Sequence, residues 1–439
     1  MTTTTQTPTS IPVQRSRITS VSLGLIAVAL VAAAFGLVLA GGTYEALPGL
    51  ADPGPLVTWG APALRVLTDL AAIATVGLLL SATILAPSGK DGTLSRTGRQ
   101  DAVRAVWAAG VWALLAAVQL FFVLALVLGV PLMDALTPAV VSTYANEIDS
   151  TRALLVMSIL ALVVAVGAVT SATTGASGTW LAVAVAAAAL PGLAGHGSSL
   201  GDHELAITAG VTHMVSAVLW VGGLLALTLH AFKRDLPMAR AVQRFSAIAI
   251  TAVVLLAASG LANSYTRLDG LDQFFTTGYG NVILIKIGLI VSLALLGLRM
   301  RHRLLPTLDT ASRTRAFVRV AVSELVLMAT AIGLGVSLAS SPYPREEEIF
   351  PSYGESLLGF AYPPPPTIES VALGFRVDPL FFTASLVAAA LYVIGFLRIR
   401  KAGIHWPVMR LVSWLGGISV VIWCTNAGIA TYAQVSVGL

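Results

Sequence analysis

Stretches of about 20 apolar residues recur along the whole chain and are separated by short polar segments. Each stretch is long enough to cross ~30 Å of hydrocarbon as a helix. The chain is therefore expected to fold as an all-α, polytopic membrane helix bundle. The pattern predicts eleven spans, at 20–41, 66–86, 105–129, 153–171, 179–195, 206–229, 246–265, 282–300, 318–340, 379–397 and 411–434.

The composition agrees with this class, because 56% of the 439 residues are hydrophobic and only 11% are charged. The net charge of +5 does not indicate nucleic-acid binding, since the basic residues fall in alternate loops. The lone cysteine, Cys424, provides neither an intrachain disulfide nor a CxxC metal motif. The lipid bilayer is therefore the expected partner, and no nucleic acid is expected.

The distribution of charge predicts the orientation of the spans. With the N-terminus in the cytoplasm, 20 of the 26 basic residues lie in inner segments and 16 of the 21 acids lie in outer ones. Basic residues accumulate on the cytoplasmic side of membrane proteins, so this orientation is expected. It places the loop before the sixth predicted span outside the cytoplasm.

The chain divides into three parts at an acidic, proline-rich segment. Residues 1–340 form a nine-span membrane domain, and residues 378–439 contain the last two spans. Residues 341–377 include three consecutive glutamates and four consecutive prolines, and such prolines favour an extended chain. This middle segment is expected to be an extracytoplasmic linker.

Three of the six histidines lie within 18 residues, where the sixth predicted span meets the outer side. His196 and His203 flank a flexible Gly-Ser stretch, and His213 lies roughly 10 Å inside the span. Neutral imidazole is a common ligand of copper and zinc, and Met214 adds a soft thioether. The pattern indicates a metal site, although a neutral His213 that hydrogen-bonds between helices explains the residue as well.

Four other polar residues lie inside predicted spans. Asp69 and Lys286 are matched in predicted depth, so an ion pair between the second and eighth spans is expected. Gln119 and Asn263 are expected to form hydrogen bonds between helices. These residues are interpreted as structural.

Glu324 lies some six residues from the inner end of the ninth predicted span. It is a candidate for an inner exit ligand or a proton acceptor, and a bond to Arg319 or to a neighbouring helix is the alternative. The remaining histidines, His230, His302 and His405, fall in basic inner loops and are expected to be solvated.

Several segments resemble known families. THMVSAVLWVGGLLALTL, YGNVILIKIGLIVSLALLGLRMRHRLLP and VRVAVSELVLMATAIGLGVSLASSPYP resemble the CopD family of copper-resistance and copper-transport membrane proteins, over about residues 190–345. The last two spans, in 378–439, are similar to the opening of the CtaG family, which is implicated in the assembly of cytochrome c oxidase. The resemblance implies copper movement or delivery. The residues at family-like positions are His213, Trp220, Lys286 and Glu324.

These observations predict a bacterial plasma (inner) membrane protein that transports or delivers copper and supports cytochrome c oxidase maturation, and that is not an enzyme. The expected metal residues are His196 and His203 for capture, His213 with Met214 for reception, and Glu324 for the inner exit. Expected partners are copper ions, oxidase subunits or a periplasmic copper chaperone. Two alternatives remain open: a b-type haem redox protein, and an oxidase assembly scaffold without metal.

Overall fold

The computed structural model describes residues 11–42, 52–194, 203–300 and 311–344, together with 375–377 and 429–431. Nine helices in these ranges are long and apolar enough to cross a membrane. They are α1 Ile11–Leu39, α2 Gly54–Leu80, α3 Arg96–Leu128, α6 Asp149–Ala168, α7 Thr174–Leu193, α8 His203–Lys233, α9 Met238–Tyr265, α11 Gly278–Arg299 and α12 Ala311–Ala339.

Shorter elements connect or extend these helices. A five-residue π-helical turn, Ser81–Leu85, continues α2. Three short helices lie between long ones: α4 Leu132–Ala135, α5 Pro138–Tyr144 and α10 Gln273–Thr276. Two strands, β1 Phe375–Val377 and β2 Ile429–Thr431, pair in antiparallel orientation. The described chain is thus an all-α, polytopic bundle with one short β pair.

Each of the first nine predicted spans corresponds to one long helix, although the helices extend beyond the apolar runs. The largest difference is in α2, which begins at Gly54 and not at residue 66. A proline in its first turn favours this earlier start, because that turn has backbone N–H groups without helical partners. The predicted span 379–397 lies outside the described residues.

The predicted end of the last span, 411–434, is wrong for three residues. Ile429–Thr431 form a strand, and not part of a helix. Two of the three, Ile429 and Thr431, are β-branched, and such side chains fit an extended backbone better than a helix. The remaining residues of that span lie outside the described part of the chain.

Helix α8 is the most enclosed of the nine. In its most apolar stretch 67% of the residues are buried inside the protein, against 17% in α11. It packs against α9, α2, α7 and α12, whereas α1 packs along α12, and α3 packs against α2 and α6. Side chains on α8 therefore lie among several helices, which makes it the place where buried polar groups have the most neighbours.

The backbones of α2 and α8 meet at two glycines. A Cβ atom on Gly77 would overlap the carbonyl oxygen of Gly222, and one on Gly222 would lie 2.7 Å from the carbonyl oxygen of Ile73. At the next position of α8, a Cβ on Gly223 would overlap the ring of Phe245 on α9. Gly222 and Gly223 thus allow α8 to approach α2 and α9 closely. In a membrane such contacts replace the hydrophobic effect as the source of helix association.

Replacing Gly77 by alanine is expected to destabilise the protein by roughly 1–3 kcal/mol, because the new methyl group meets backbone atoms that cannot rotate away. The matched control is Gly110→Ala in α3, where an added Cβ has nothing within 4 Å. Thermal unfolding of the purified protein in detergent measures both. Equal midpoints for the two variants would contradict the close contact.

Candidate functional site

His213 lies ten residues after the start of α8, about 15 Å along the helix. Its Nδ1 is 3.1 Å from the hydroxyl oxygen of Ser259 on α9. That hydroxyl donates its own hydrogen to the carbonyl oxygen of Leu256 at 3.1 Å, so the ring nitrogen must supply the hydrogen between them. The arrangement places the proton of a neutral imidazole on Nδ1 and leaves the lone pair on Nε2.

The ring of His213 also lies against a glycine of α9. A Cβ atom on Gly260 would be 3.8 Å from the Cε1 atom of the ring, which is an ordinary contact distance. The hydrogen bond and this contact fix the ring on one side of α8. His213 can serve as a metal ligand, as a hydrogen-bonding residue between helices, or as both. The bond between helices uses Nδ1, and a metal ion would use Nε2.

Two positive side chains act on His213. Lys286 on α11 has the larger electrostatic effect and Arg267, after α9, the next. Lys286 lies close to Gly335 of α12, since a Cβ atom added to Gly335 would be 3.2 Å from the Nζ atom of Lys286. The guanidinium carbon of Arg267 lies 5.3 Å from the centre of the Tyr343 ring. The surroundings of His213 are therefore electropositive.

The predicted ion pair between Asp69 and Lys286 is wrong. The salt bridges within the described residues do not include it, and the charges that act on the two groups are Arg65 for Asp69 and Arg267 for Lys286. Helix packing explains the error, because α2 packs mainly against α3, α8 and α7, whereas α11 packs mainly against α12, α10 and α1. Depth matched along the sequence does not bring together side chains on helices that pack against different neighbours.

Glu324 lies in the middle of α12, and only 6% of its surface is exposed. Its Oε1 atom has no hydrogen-bond partner within the described part of the chain. Arg319 is exposed and forms no ion pair with it there, so the bond to Arg319 is not observed. The structure leaves Glu324 as a buried acid whose role the packing alone does not explain.

The structure does not combine the predicted metal residues into one site. Among the residues it describes, no group of three or more His, Cys, Asp or Glu side chains is arranged to hold a metal ion. His196 lies outside these residues, as does the side chain of His203, although the backbone of His203 begins α8. Met214 is half-buried next to His213. The roles of these residues in metal binding therefore remain predictions, and each residue is considered as a separate position along a path and not as a ligand of one shared site.

The hydrogen bonds of the two amides expected to connect helices also differ from the prediction within the described residues. Asn263 donates from Nδ2 to the carbonyl oxygen of Ser259 in its own helix at 2.9 Å, and its Oδ1 has no partner among the described residues. Gln119 is buried, and its Oε1 likewise has no partner there. An amide side chain can reach the carbonyl oxygen one turn earlier in its own helix, and such a local bond competes with a bond to another helix.

A buried ionic cluster at the inner end of α8 was not expected. The imidazole of His230 is completely buried, so the prediction that it is solvated is wrong. Its Nε2 lies 2.7 Å from an Oδ2 of Asp101, and its Nδ1 lies 2.7 Å from an Oδ1 of Asp235. Ser81 donates to the same Asp101 oxygen at 2.8 Å, and Arg104 donates to the other one at 2.7 Å.

Local backbone features position this cluster. Ser81 is the first residue of the π-helical turn, whose end is held by Arg244 through its 2.9 Å bond to the carbonyl oxygen of Ile84. Arg234 ends α8 with a positive φ of 55°, which turns the chain so that Asp235 meets His230. The sequence did contain a signal, because Asp101 and Asp235 are two of the few acids in the mainly basic inner segments.

Comparison with known proteins connects most of the chain to copper resistance proteins. Residues 239–338 match the family model described as Copper resistance protein D. Residues 56–203 match the one described as Copper resistance protein D-like, N-terminal domain. The chain is similar to copper resistance proteins. Residues 390–438, C-terminal to both matches, match the Cytochrome c oxidase caa3 assembly factor.

The limits of these matches differ from those expected. The CopD resemblance was expected over 190–345 and matches over 239–338, whereas the early spans, which have no recognisable motif of their own, match the N-terminal domain. Lys286 and Glu324 lie inside the CopD match, but His213 and Trp220 lie between the two copper resistance matches. The family match therefore supports the family-like positions of Lys286 and Glu324 more directly than that of His213.

Individual relatives extend the similarity. Uncharacterized protein Mb0105 of Mycobacterium bovis and Uncharacterized protein MT0111 of Mycobacterium tuberculosis are each 28% identical over 436 residues, which cover 97% of this chain and 62% of theirs. Copper transport protein CutJ of Bacillus subtilis is 34% identical over 169 residues, or 36% of this chain and 29% of CutJ. The chain thus spans less than two thirds of these relatives. No solved structure matches it.

Proposed function

We propose that this protein moves or delivers copper at the bacterial plasma membrane and thereby supports the maturation of cytochrome c oxidase, without being an enzyme. The similarity to copper resistance proteins, to CutJ and to a caa3 assembly factor supports this function. Copper ions are the proposed cargo. Oxidase subunits or a periplasmic copper chaperone are the proposed protein partners.

The observation that carries the proposal is the geometry of His213. Its Nδ1 is engaged by Ser259, so the neutral ring presents a lone pair on Nε2, which is the form that binds copper. A histidine in a membrane helix is also expected to have a function, because an ionisable group is costly to place there. His213 is therefore the proposed copper station in the outer half of α8.

The positive charges around His213 favour one oxidation state. Lys286 and Arg267 repel a divalent ion about twice as strongly as a monovalent one, since the Coulomb energy is proportional to the charge. Cu(I) is also the state that the neighbouring thioether of Met214 prefers. We therefore assign the cargo at this station to Cu(I).

The proposed path has two further stations. His196 and His203 capture the ion outside, and Glu324, about 12 Å from the start of the apolar part of α12 at Ala316, serves the inner exit. A carboxylate there supplies a negative charge in the half of the membrane that His213 does not reach. Its unbonded Oε1 is consistent with an acid that takes part in ion or proton transfer.

The haem alternative is less well supported, because two of the histidines of α8, His213 and His230, lie far apart. His213 and His230 are 17 residues apart, about 25 Å along one helix, so they cannot ligate the same haem. Both ring nitrogens of His230 are also occupied by carboxylates. A pair of axial histidines from α8 is therefore excluded.

The test of this function is copper transport by the full chain reconstituted in liposomes. We expect Cu(I) to cross vesicles that contain the protein faster than empty vesicles, in a manner that saturates with copper. A visible spectrum of the same preparation provides an independent measurement. Saturable transport without a Soret band supports the proposal, whereas a Soret band with no copper flux would support a haem protein.

A further inference from the structure

A recess lined by arginines lies on the protein surface at the start of α3. Its volume is about 340 Å³, and it is open to the outside. Its lining residues are Arg96, Arg99, Gln100, Val103 and Arg104. They follow the spacing i, i+3, i+4, i+7 and i+8, which places all of them on one face of a helix. The recess therefore collects the positive charges of several arginines on a single face of α3.

The three arginines are held differently. Arg104 donates to an Oδ1 of Asp101 at 2.7 Å, so part of its charge is compensated by the buried cluster. Arg96, Arg99 and the neighbouring Gln100 are exposed. A guanidinium group binds a phosphate through two parallel hydrogen bonds, and an amide can donate a further one. Two exposed arginines one turn apart, with an amide beside them, suit a phosphate group.

An apolar stripe continues this face toward the middle of the membrane. Four large apolar side chains form the stripe, and each is at least 50% exposed: Val103, Trp107, Val111 and Leu114. They recur every three or four residues, so they lie on the same face as the arginines. Leu114 lies 18 residues after Arg96, about 27 Å along the helix. The face thus combines a cationic end with an apolar stripe of membrane length.

We infer that this face of α3 binds an anionic phospholipid of the cytoplasmic leaflet, with its phosphate in the arginine recess and an acyl chain along the apolar stripe. The expected orientation of the chain places the start of α3 on the cytoplasmic side, where basic pockets bind anionic headgroups. A zwitterionic lipid also has a phosphate, but its ammonium group would bring a positive charge to the arginines. The face therefore selects anionic lipids, and this inference does not depend on the copper function.

Phosphatidylglycerol is the probe for this site. The full chain in detergent is titrated with the lipid, and its thermal unfolding is measured, since a ligand of the folded state raises the midpoint. We expect a rise for the natural protein and a smaller one with phosphatidylcholine. In the double variant Arg96→Gln with Arg99→Gln the apparent Kd for phosphatidylglycerol is expected to weaken about tenfold or more, because two charges beside the phosphate are lost.

The matched control removes two exposed inner arginines from other helices, Arg240 of α9 and Arg299 of α11. Arg240→Gln with Arg299→Gln changes the net charge equally and is expected to keep the response to phosphatidylglycerol. Both double variants replace exposed side chains, so both are expected to fold. An equal loss of response in the two, an equal rise with phosphatidylcholine, or no rise at all would overturn the inference. A rise of the same size with inorganic phosphate would show a phosphate site and not a lipid site.

Trp107, which is 76% exposed, tests the position of the acyl chain. Bromine atoms on an acyl chain quench the fluorescence of a tryptophan that they contact. Brominated phosphatidylglycerol is expected to quench the natural protein more than brominated phosphatidylcholine does, and this excess is expected to disappear in Trp107→Phe. Trp107→Phe should still show the thermal response, because the recess is unchanged. Excess quenching that persists in Trp107→Phe would place the lipid elsewhere and overturn the inference.

Discussion

Replacing His213 by leucine is expected to abolish saturable Cu(I) transport by the full chain. An intramembrane ligand has few substitutes within reach, and leucine offers no lone pair at that depth. Methionine at the same position is expected to retain part of the transport, because a thioether still binds Cu(I). The measurement is the initial rate of Cu(I) flux into liposomes at equal amounts of folded protein.

The controls for this series are the other histidines. His196→Ala and His203→Ala are expected to reduce flux mainly at low copper, since exposed capture ligands compete with water and can be replaced by nearby acids. His405→Ala, in a predicted inner loop, is expected to have no effect. Full transport by His213→Leu would show that His213 is a packing residue bonded to Ser259 and would reject the proposed path.

The spans were predictable because each depends on one property, the length of an apolar run. Nine of them coincide with helices in the described residues. Their ends were less predictable, as α2 shows with its start at Gly54, because a helix continues into the polar interface wherever a capping or proline signal permits it.

Side-chain partners could not be predicted from depth alone. His230 seemed to belong to a basic loop, but α8 extends to Lys233 and the ring meets acids from two other segments, at positions 101 and 235. The partner of His213, Ser259, is 46 residues away in the sequence. Which face of a helix meets which neighbour depends on helix packing, and a hydropathy pattern does not contain that information.

The cluster around His230 connects three parts of the bundle. Asp101 belongs to α3, His230 to α8, and Ser81 to the π-helical turn after α2. Each ring nitrogen of His230 faces a carboxylate oxygen, and an ionised carboxylate can only accept hydrogen bonds. With both carboxylates ionised, both nitrogens donate and His230 is a cation held between two anions. The cluster holds the inner ends of these helices together.

Replacing Asp101 by alanine is expected to destabilise the protein by about 3–5 kcal/mol, because it leaves His230 and Arg104 without their buried partner. Asp149→Ala is the matched control. Both aspartates pair with an arginine three residues later, but the side chain of Asp101 is 0% exposed and that of Asp149 is 59% exposed. The exposed pair is expected to contribute about 0–1 kcal/mol, so thermal unfolding in detergent should separate the two variants clearly.

A double variant distinguishes the loss of a partner from the loss of packing. In Asp101→Ala with His230→Leu the buried cation is removed along with its anion, so we expect part of the stability to return. If the protein instead needs the imidazole to hold α8 against α3, the double variant will be less stable than Asp101→Ala. A midpoint for Asp101→Ala equal to that of Asp149→Ala would show that the cluster does not stabilise the inner end at all.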